Sequence, residues 1–177
     1  MGNSVILDPF DLYRFQQGLG KEFPRLLEEG MVELNVTGGV ILPNLKMTGK
    51  EERCVFLDRE GRCSIHGSRP GLCRLFPLGR FYENGDFKYF LQTGQCEDSS
   101  RTKIKVSKWI DTPDQGRNHE FICKWHSLLS HLEEVAETED MENAKRLNLR
   151  LLQLFFMTPY EPERDFYEQF EERLGLF

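Results

Sequence analysis

Four of the five cysteines in this 177-residue sequence lie in one segment and could together hold a soft metal ion. Cys54, Cys63, Cys73 and Cys96 form the pattern C-x8-C-x9-C-x22-C. Four thiolates can close a tetrahedral zinc site or hold an iron–sulfur cluster, so the residue types leave both chemistries open. The spacing matches neither the short C-x2-C pairs of common zinc modules nor the compact cysteine run of ferredoxins. The donors therefore indicate a metal without choosing which one.

Arginines accompany these cysteines. Arg62, Arg69, Arg74 and Arg80 lie in the same segment. A guanidinium group lowers the pKa of a nearby thiol from about 8.5 and offsets the negative charge that several thiolates place around a metal. The alternative is that the cysteines are small buried apolar side chains. A segment rich in Gly, Pro and Arg is a poor apolar core, so the pattern favours ligation.

The string CVFLDREGRCSIHGSRPGLCRLFPLGR, residues 54–80, resembles the YkgJ-type cysteine-cluster family. The similarity lies in the sequence GRC, the following Arg-Pro, and a Cys-Arg pair followed by Phe-Pro. It is best over residues 54–96 and extends more loosely over residues 5–20. This family is described as a zinc- or iron-chelating domain and includes proteins similar to flagellin lysine N-methylase.

The resemblance implies roles for six residues. Four would be metal or cluster ligands, namely Cys54, Cys63, Cys73 and Cys96, and two would frame the bound cofactor, namely Arg69 and Arg74. The cofactor would be an iron–sulfur cluster or zinc. Members of the family commonly carry a further C-x2-C group before the segment that begins here with MGNSVILDP, and this sequence has none. We therefore expect one cysteine-ligated site.

The fifth cysteine stands apart in a stretch with helical periodicity. His119, Cys123 and His126 lie at i, i+4 and i+7, away from the apolar stripe of the same helix. This spacing can present two ligands to one ion, but a solvated polar face is the more ordinary interpretation. His66 is a further candidate near the cysteine segment, although a histidine in a turn or at the surface is again the ordinary interpretation.

The elements that position these residues are short in the first half of the chain. Residues 8–30 have apolar positions at helical spacing, with glycines at 18 and 20, which predicts two short helices broken there. Two β-prone runs flank Gly38 and Gly39 and predict a hairpin. Asn84 and Gly85 lie between aromatic runs, which is typical of a type I′ two-residue turn. Opposed residues in this second hairpin would then have numbers that add to 169, as the numbers of Cys73 and Cys96 also do.

The second half of the sequence is helical in pattern. One apolar face contains Phe121, Trp125, Leu128, Leu132 and Val135. The next contains Leu147, Leu151, Leu154 and Phe155. Pro162 is expected to open a last helix, because proline is favoured at the first helical position. The predicted fold is α+β and mostly helical, with a cysteine-rich irregular segment and small β-hairpins. We expect a single domain over residues 1–177, with the metal-binding segment at 51–99 and the helical part at 102–177.

The net charge, the apolar stretches and the number of cysteines argue against several classes of function and location. The 23 Lys and Arg residues against 29 Asp and Glu give a net charge of −6, which argues against nucleic acid as a partner. Neither a membrane span nor a secretion signal is visible, so we expect a cytoplasmic protein without a membrane partner. An odd number of cysteines without a secretion signal also argues against stable disulfides.

The expected function is metal or iron–sulfur cluster binding, with the biochemical role open. One alternative is an enzyme similar to protein lysine N-methylases, which rests on the resemblance alone because no G-x-G-x-x-G loop follows a strand. The other is a partner-binding module with a structural zinc, in which the acidic C-terminal helices would contact a basic protein. The partner in these alternatives is a protein substrate or a protein ligand.

Overall fold

A computed structural model describes residues 5–94, 103–138 and 140–177 of the chain. The α-helices in these ranges are α1 (Pro9–Leu19), α2 (Phe23–Glu28), α3 (Gly71–Leu75), α4 (Val106–Ile110), α5 (Gln115–Thr138), α6 (Met141–Leu152) and α7 (Phe166–Leu176). A 3₁₀ turn covers His66–Ser68, and a π-helical turn, Gln153–Met157, follows α6. The strands are β1 (Val32–Thr37), β2 (Val40–Leu45), β3 (Met47–Thr48), β4 (Arg53–Cys54), β5 (Leu78–Glu83) and β6 (Asp86–Leu91). They pair in sequence order as three two-stranded antiparallel sheets. The predicted fold, α+β and mostly helical, is confirmed.

The first helix is defined at both ends by its own sequence. Asp8 is the N-cap and accepts a hydrogen bond from the backbone of Asp11, whose side chain in turn accepts one from the backbone of Asp8. Such a reciprocal capping box satisfies two amides that have no partner inside the helix. Gly20 ends the helix in the left-handed conformation, with φ of 63°. The predicted break between α1 and α2 is therefore confirmed.

Both predicted hairpins form, and their registers follow from their turns. The turn residues Gly38 and Gly39 have φ of 56° and 78°, and Asn84 and Gly85 have 53° and 77°. Positive φ at both central residues defines a type I′ turn, whose twist matches that of the flanking strands. In β5–β6 each opposed pair, from Glu83 with Asp86 outward, has residue numbers that add to 169 as predicted.

The longest helix, α5, packs its apolar stripe into an aromatic core. The rings of Phe121 and Phe170 meet edge to face with centroids 4.7 Å apart, and Trp125 contacts Phe155 in the same way at 5.3 Å. Such pairs stabilise a fold beyond the area that they bury. The predicted stripe is confirmed at Phe121, Trp125, Leu132 and Val135, which are buried, while Leu128 is partly buried against the core. No helix in the described ranges is long and apolar enough to cross a membrane.

The last helix begins at Phe166, and the prediction that Pro162 opens it is wrong. Asp165 is its N-cap and accepts a hydrogen bond from the Glu168 amide at 3.0 Å. The Gln169 side chain binds both the amide and the carbonyl of Glu161, at 2.8 and 3.0 Å. These contacts hold residues 161–164 as a turn before the helix, because the side chain of Gln169 occupies the backbone groups that helical residues would use.

Candidate metal centre

A short loop carries the first two cysteines of the segment. Cys54 ends β4, where it pairs with Met47, and Cys63 forms an antiparallel bridge with Leu57. Between them, the Asp58 carboxylate accepts hydrogen bonds from the amides of Glu60 and Arg62, at 2.9 and 2.8 Å. An aspartate that binds amides two and four residues ahead fixes a tight turn. The turn therefore returns the chain from the first thiol toward the second.

The third cysteine lies on α3, which α1 holds in place. The Gly71 amide at the start of α3 donates to Asp11 Oδ1 at 2.7 Å. Arg14 of α1 donates to the carbonyl of Gly67, in the 3₁₀ turn His66–Ser68 just before it. Both bonds come from residues outside the cysteine segment. The position of Cys73 thus depends on the capped N-terminal part of α1.

The thiols of Cys54, Cys63 and Cys73 interact electrostatically. Burial raises the pKa of Cys73 to about 12, and the negative charges of Asp11, Cys54 and Cys63 contribute to the rise, while Arg69 opposes it. Burial also raises the pKa of Cys54, and Cys63 adds to that shift. Thiols with raised pKa values stay protonated and uncharged in the absence of a metal, and a bound cation would replace their protons. This donor set therefore fits a soft metal such as zinc or iron.

The two arginines predicted to frame the cofactor lie in different surroundings. The charge of Arg69 acts on Cys73. Arg74 is buried, and its guanidinium donates to the carbonyls of Ile110 and Asp111 and to Thr112 Oγ1. These bonds connect α3 to the end of α4. A cofactor role for either arginine stays a prediction, as does ligation by Cys96, which lies outside the described residues.

A second group of donor side chains is packed more tightly than the cysteine segment. Asp86, His119 and Cys123 place their ligand atoms within 4.8 Å of one another, and no other three His, Cys, Asp or Glu residues in the described ranges do so. The three described thiols of the cysteine segment do not meet this distance criterion together, although their charges act on one another. Sequence reasoning considered His119 and Cys123 but missed Asp86. Its only local signal is its place directly after the Asn84-Gly85 turn.

The face of α5 that carries His119, Cys123 and His126 is covered in part by the β5–β6 hairpin. The ring of Phe87 stacks on His119 with centroids 4.4 Å apart, and Tyr82 stacks on His126 at 3.6 Å. All three helix residues are partly buried. This polar face is therefore partly covered and partly solvated, with 42% of the His119 side chain exposed. His126 is engaged by Tyr82, and Asp86 from the hairpin joins the other two residues.

In the comparison with known proteins, one family model matches the part of the chain that contains Cys54, Cys63 and Cys73. The family model CxxCxxCC, described as a "putative zinc- or iron-chelating domain", matches residues 20–110, just over half of the chain. The match ends before α5, so it includes Asp86 but neither His119 nor Cys123. Neither the curated proteins nor the solved structures yield a match to this chain.

Proposed function

The chain belongs to the CxxCxxCC family of zinc- or iron-chelating domains, and we propose that it binds one zinc ion or iron–sulfur cluster through its cysteine segment. The ligands in this proposal are Cys54, Cys63, Cys73 and Cys96. The observation that carries it is the position of three partly buried cysteines inside the matched residues, where Cys54 and Cys63 both act on the pKa of Cys73. Zinc and iron are both named in the family's description, so either metal is compatible with it. The YkgJ type and the methylase-like activity rest on resemblance alone.

The spacing of the cysteines in this chain differs from the spacing that the family's name describes. A C-x2-C-x2-C-C run does not occur in this sequence, where the cysteines are eight or more residues apart. Short loops and helices must bring such distant ligands together, whereas closely spaced cysteines share one turn. This supports a single site built by tertiary structure, in which metal binding and folding depend on each other.

A structural role for the metal is favoured by the irregular chain around it. From β4 to α3 the backbone forms only a bridge, turns and one 3₁₀ turn. Phe56, Ile65 and Pro70 are the buried apolar side chains between Cys54 and Cys73. A segment with so little apolar burial gains order from a metal that crosslinks it, as in small zinc domains. Residues 51–75 would then lose structure when the metal is removed.

The test is metal quantification with visible absorption on protein purified without oxygen. The cysteine segment of the wild type is expected to hold about one equivalent of zinc, or iron with the brown absorption of an iron–sulfur cluster. Cys73→Ser should lose that metal, because it removes a ligand and places a hydroxyl where a thiolate is needed. Leu72→Ser is the matched control, since it places the same hydroxyl at the exposed neighbouring position of α3 and should keep the metal.

Two outcomes would contradict the proposal. One is wild-type protein with neither zinc nor iron near stoichiometry. The other is a Cys73→Ser protein that keeps the full metal content of the wild type. Chelation followed by hydrogen exchange then tests the structural role, which requires that amides in residues 51–75 lose protection as the metal leaves.

A further inference from the structure

The cluster of Asp86, His119 and Cys123 is built by two elements that pack on each other. His119 and Cys123 are one helical turn apart on α5, so their side chains lie on the same face. Asp86 opens β6 directly after the type I′ turn of the hairpin. Its Oδ1 atom lies 2.7 Å from His119 Nε2 and 3.9 Å from Cys123 Sγ. One carboxylate oxygen therefore faces both helix ligands.

Packing holds these three side chains in place without an ion. Phe87, next to Asp86, stacks on the His119 ring, with 27° between the ring planes. About two turns further along α5, Tyr82 stacks on His126, with 11° between the ring planes. The Asp86 carboxylate also accepts a hydrogen bond from the Phe87 amide at 2.7 Å. Ligands that neighbouring groups already orient lose less freedom when a metal binds.

The distances are close to those that a zinc ion requires. Zinc bonds of about 2.1 Å to nitrogen and oxygen and 2.3 Å to sulfur place tetrahedral ligands roughly 3.4 to 3.6 Å apart. The His119–Asp86 pair at 2.7 Å would need to open by about 0.7 Å, and the Cys123–Asp86 pair at 3.9 Å to close by about 0.3 Å. Movements of this size are within reach of side-chain torsions at a partly exposed site.

The donor set also limits the class of metal. A carboxylate, an imidazole and a thiolate together suit zinc and similar first-row divalent ions, whereas calcium and magnesium prefer oxygen ligands throughout. Three protein ligands leave one position of a tetrahedral ion open. The side chains at this site are 69% exposed for Asp86 and 42% for His119, so water can reach that position.

We propose that Asp86, His119 and Cys123 form a second metal site, which binds a zinc-like divalent ion and leaves one coordination position open to solvent. The site is distinct from the cysteine-ligated one, because it uses none of the thiols of Cys54, Cys63, Cys73 and Cys96. Two of its ligands lie beyond the residues that the family model matches. An open position is typical of zinc sites that bind or activate a small molecule, whereas closed four-ligand sites are structural.

The experiment is a titration of metal-free full-length protein with Co²⁺, which absorbs visibly when bound by a thiolate, followed by competition with Zn²⁺. The wild type is expected to bind one equivalent more than Cys123→Ala or Asp86→Asn. Each of these variants should bind that equivalent more than about 100-fold more weakly, because even the loss of a group that only orients a ligand costs 10- to 100-fold. Asp86→Asn keeps an oxygen for the Phe87 amide, so the hairpin should remain folded.

Matched controls separate ligation from general charge and folding effects. Glu83→Gln removes the carboxylate directly opposite Asp86 in the hairpin, and His131→Ala removes an exposed histidine of the same helix. Both should bind Co²⁺ as the wild type does, and circular dichroism checks that every variant is folded. The proposal is overturned if folded Cys123→Ala and Asp86→Asn bind the same number of equivalents as the wild type. Cys73→Ser tests the other site, so the two proposals can fail separately.

Discussion

Replacing Arg74 with methionine should destabilise the protein without removing a metal ligand. Arg74 is 6% exposed, and its Nε donates to the Ile110 carbonyl at 3.2 Å. Its Nη2 donates to the Asp111 carbonyl and to Thr112 Oγ1. Methionine has a similar length and keeps the apolar contacts of the side chain, but it donates no hydrogen bond. The substitution therefore isolates the polar connection between α3 and the end of α4.

The size of the effect follows from these three bonds. A hydrogen bond from a charged donor contributes about 1.5 to 3 kcal/mol, and a buried carbonyl left without a partner costs about 1 to 3 kcal/mol. Ile110 is buried, and without Arg74 its carbonyl keeps only the long hydrogen bond from Thr112 Oγ1 at 3.5 Å, so it should bear most of this cost. Asp111 is exposed, and water can replace the lost donor there. We expect a loss of about 3 kcal/mol in the free energy of unfolding. For a chain of this length that lowers Tm by roughly 6 to 12 °C.

Urea denaturation together with metal quantification decides what Arg74 does. If it connects helices, Arg74→Met should shift the unfolding midpoint while the folded protein keeps its metal at saturating concentration. Arg69→Met is the comparison, because the charge of Arg69 acts on Cys73 and the side chain is only partly buried. It should change stability by under about 1 kcal/mol. The reasoning fails if Arg74→Met unfolds within 0.5 kcal/mol of the wild type yet loses its metal, since Arg74 would then act at the cofactor.

Two further predictions concern buried polar groups. Burial raises the pKa of Tyr167 to about 12, above the usual value of about 10, so its contribution to stability is complete below pH 10 and is lost as the pH rises through 12. The urea midpoint of the wild type should fall as the pH is raised from about 8 to about 11, and that of Tyr167→Phe should fall less. An equal dependence of the midpoint on pH in the two proteins would contradict this prediction. Asp11→Ala removes the carboxylate that accepts hydrogen bonds from the amides of Gly71 and Asp8. Because both amides lose their partner, the free energy of unfolding measured by urea denaturation should fall by about 2 to 3 kcal/mol. An unchanged urea midpoint would show that water replaces both bonds.

The parts of the fold that could be predicted are those that neighbouring residues determine. Asn84 and Gly85 both tolerate positive φ, so the turn type, the register and the pairing of Glu83 with Asp86 follow from two residues. The stripe of α5 follows from apolar spacing in the same way. The start of α7 was also readable, because Asp165 followed three residues later by Glu168 has the pattern of a capping pair. Pro162 predicted an earlier start, but the hydrogen bonds between the Gln169 side chain and the Glu161 backbone hold residues 161–164 outside the helix.

Packing between distant elements could not be predicted. Nothing near Asp86 in the sequence indicates that its hairpin lies on α5, 33 residues away at His119. That contact depends on which surface the rings of Tyr82 and Phe87 pack against, and several helix faces in the sequence have a suitable composition. For the same reason, the interaction of Cys73 with Cys54 could be inferred only from the resemblance. The burial of Arg74 against residues 110–112 also has no local signal.

The bonds from α1 to α3 and the stacking of α5 on the hairpin have a consequence for how relatives should be compared. The match spans residues 20–110, but Asp11 and Arg14 lie before it, and His119 and His126 lie after it. The part of the chain that a family pattern recognises is thus shorter than the part that supports its cysteines. A fragment limited to residues 20–110 would keep the three described thiols. It would lose Asp11 and Arg14, which bind the backbone just before Cys73, and the two histidines that stack on the β5–β6 hairpin. Two members with the same cysteines can therefore differ in metal affinity through flanking helices that no cysteine pattern records.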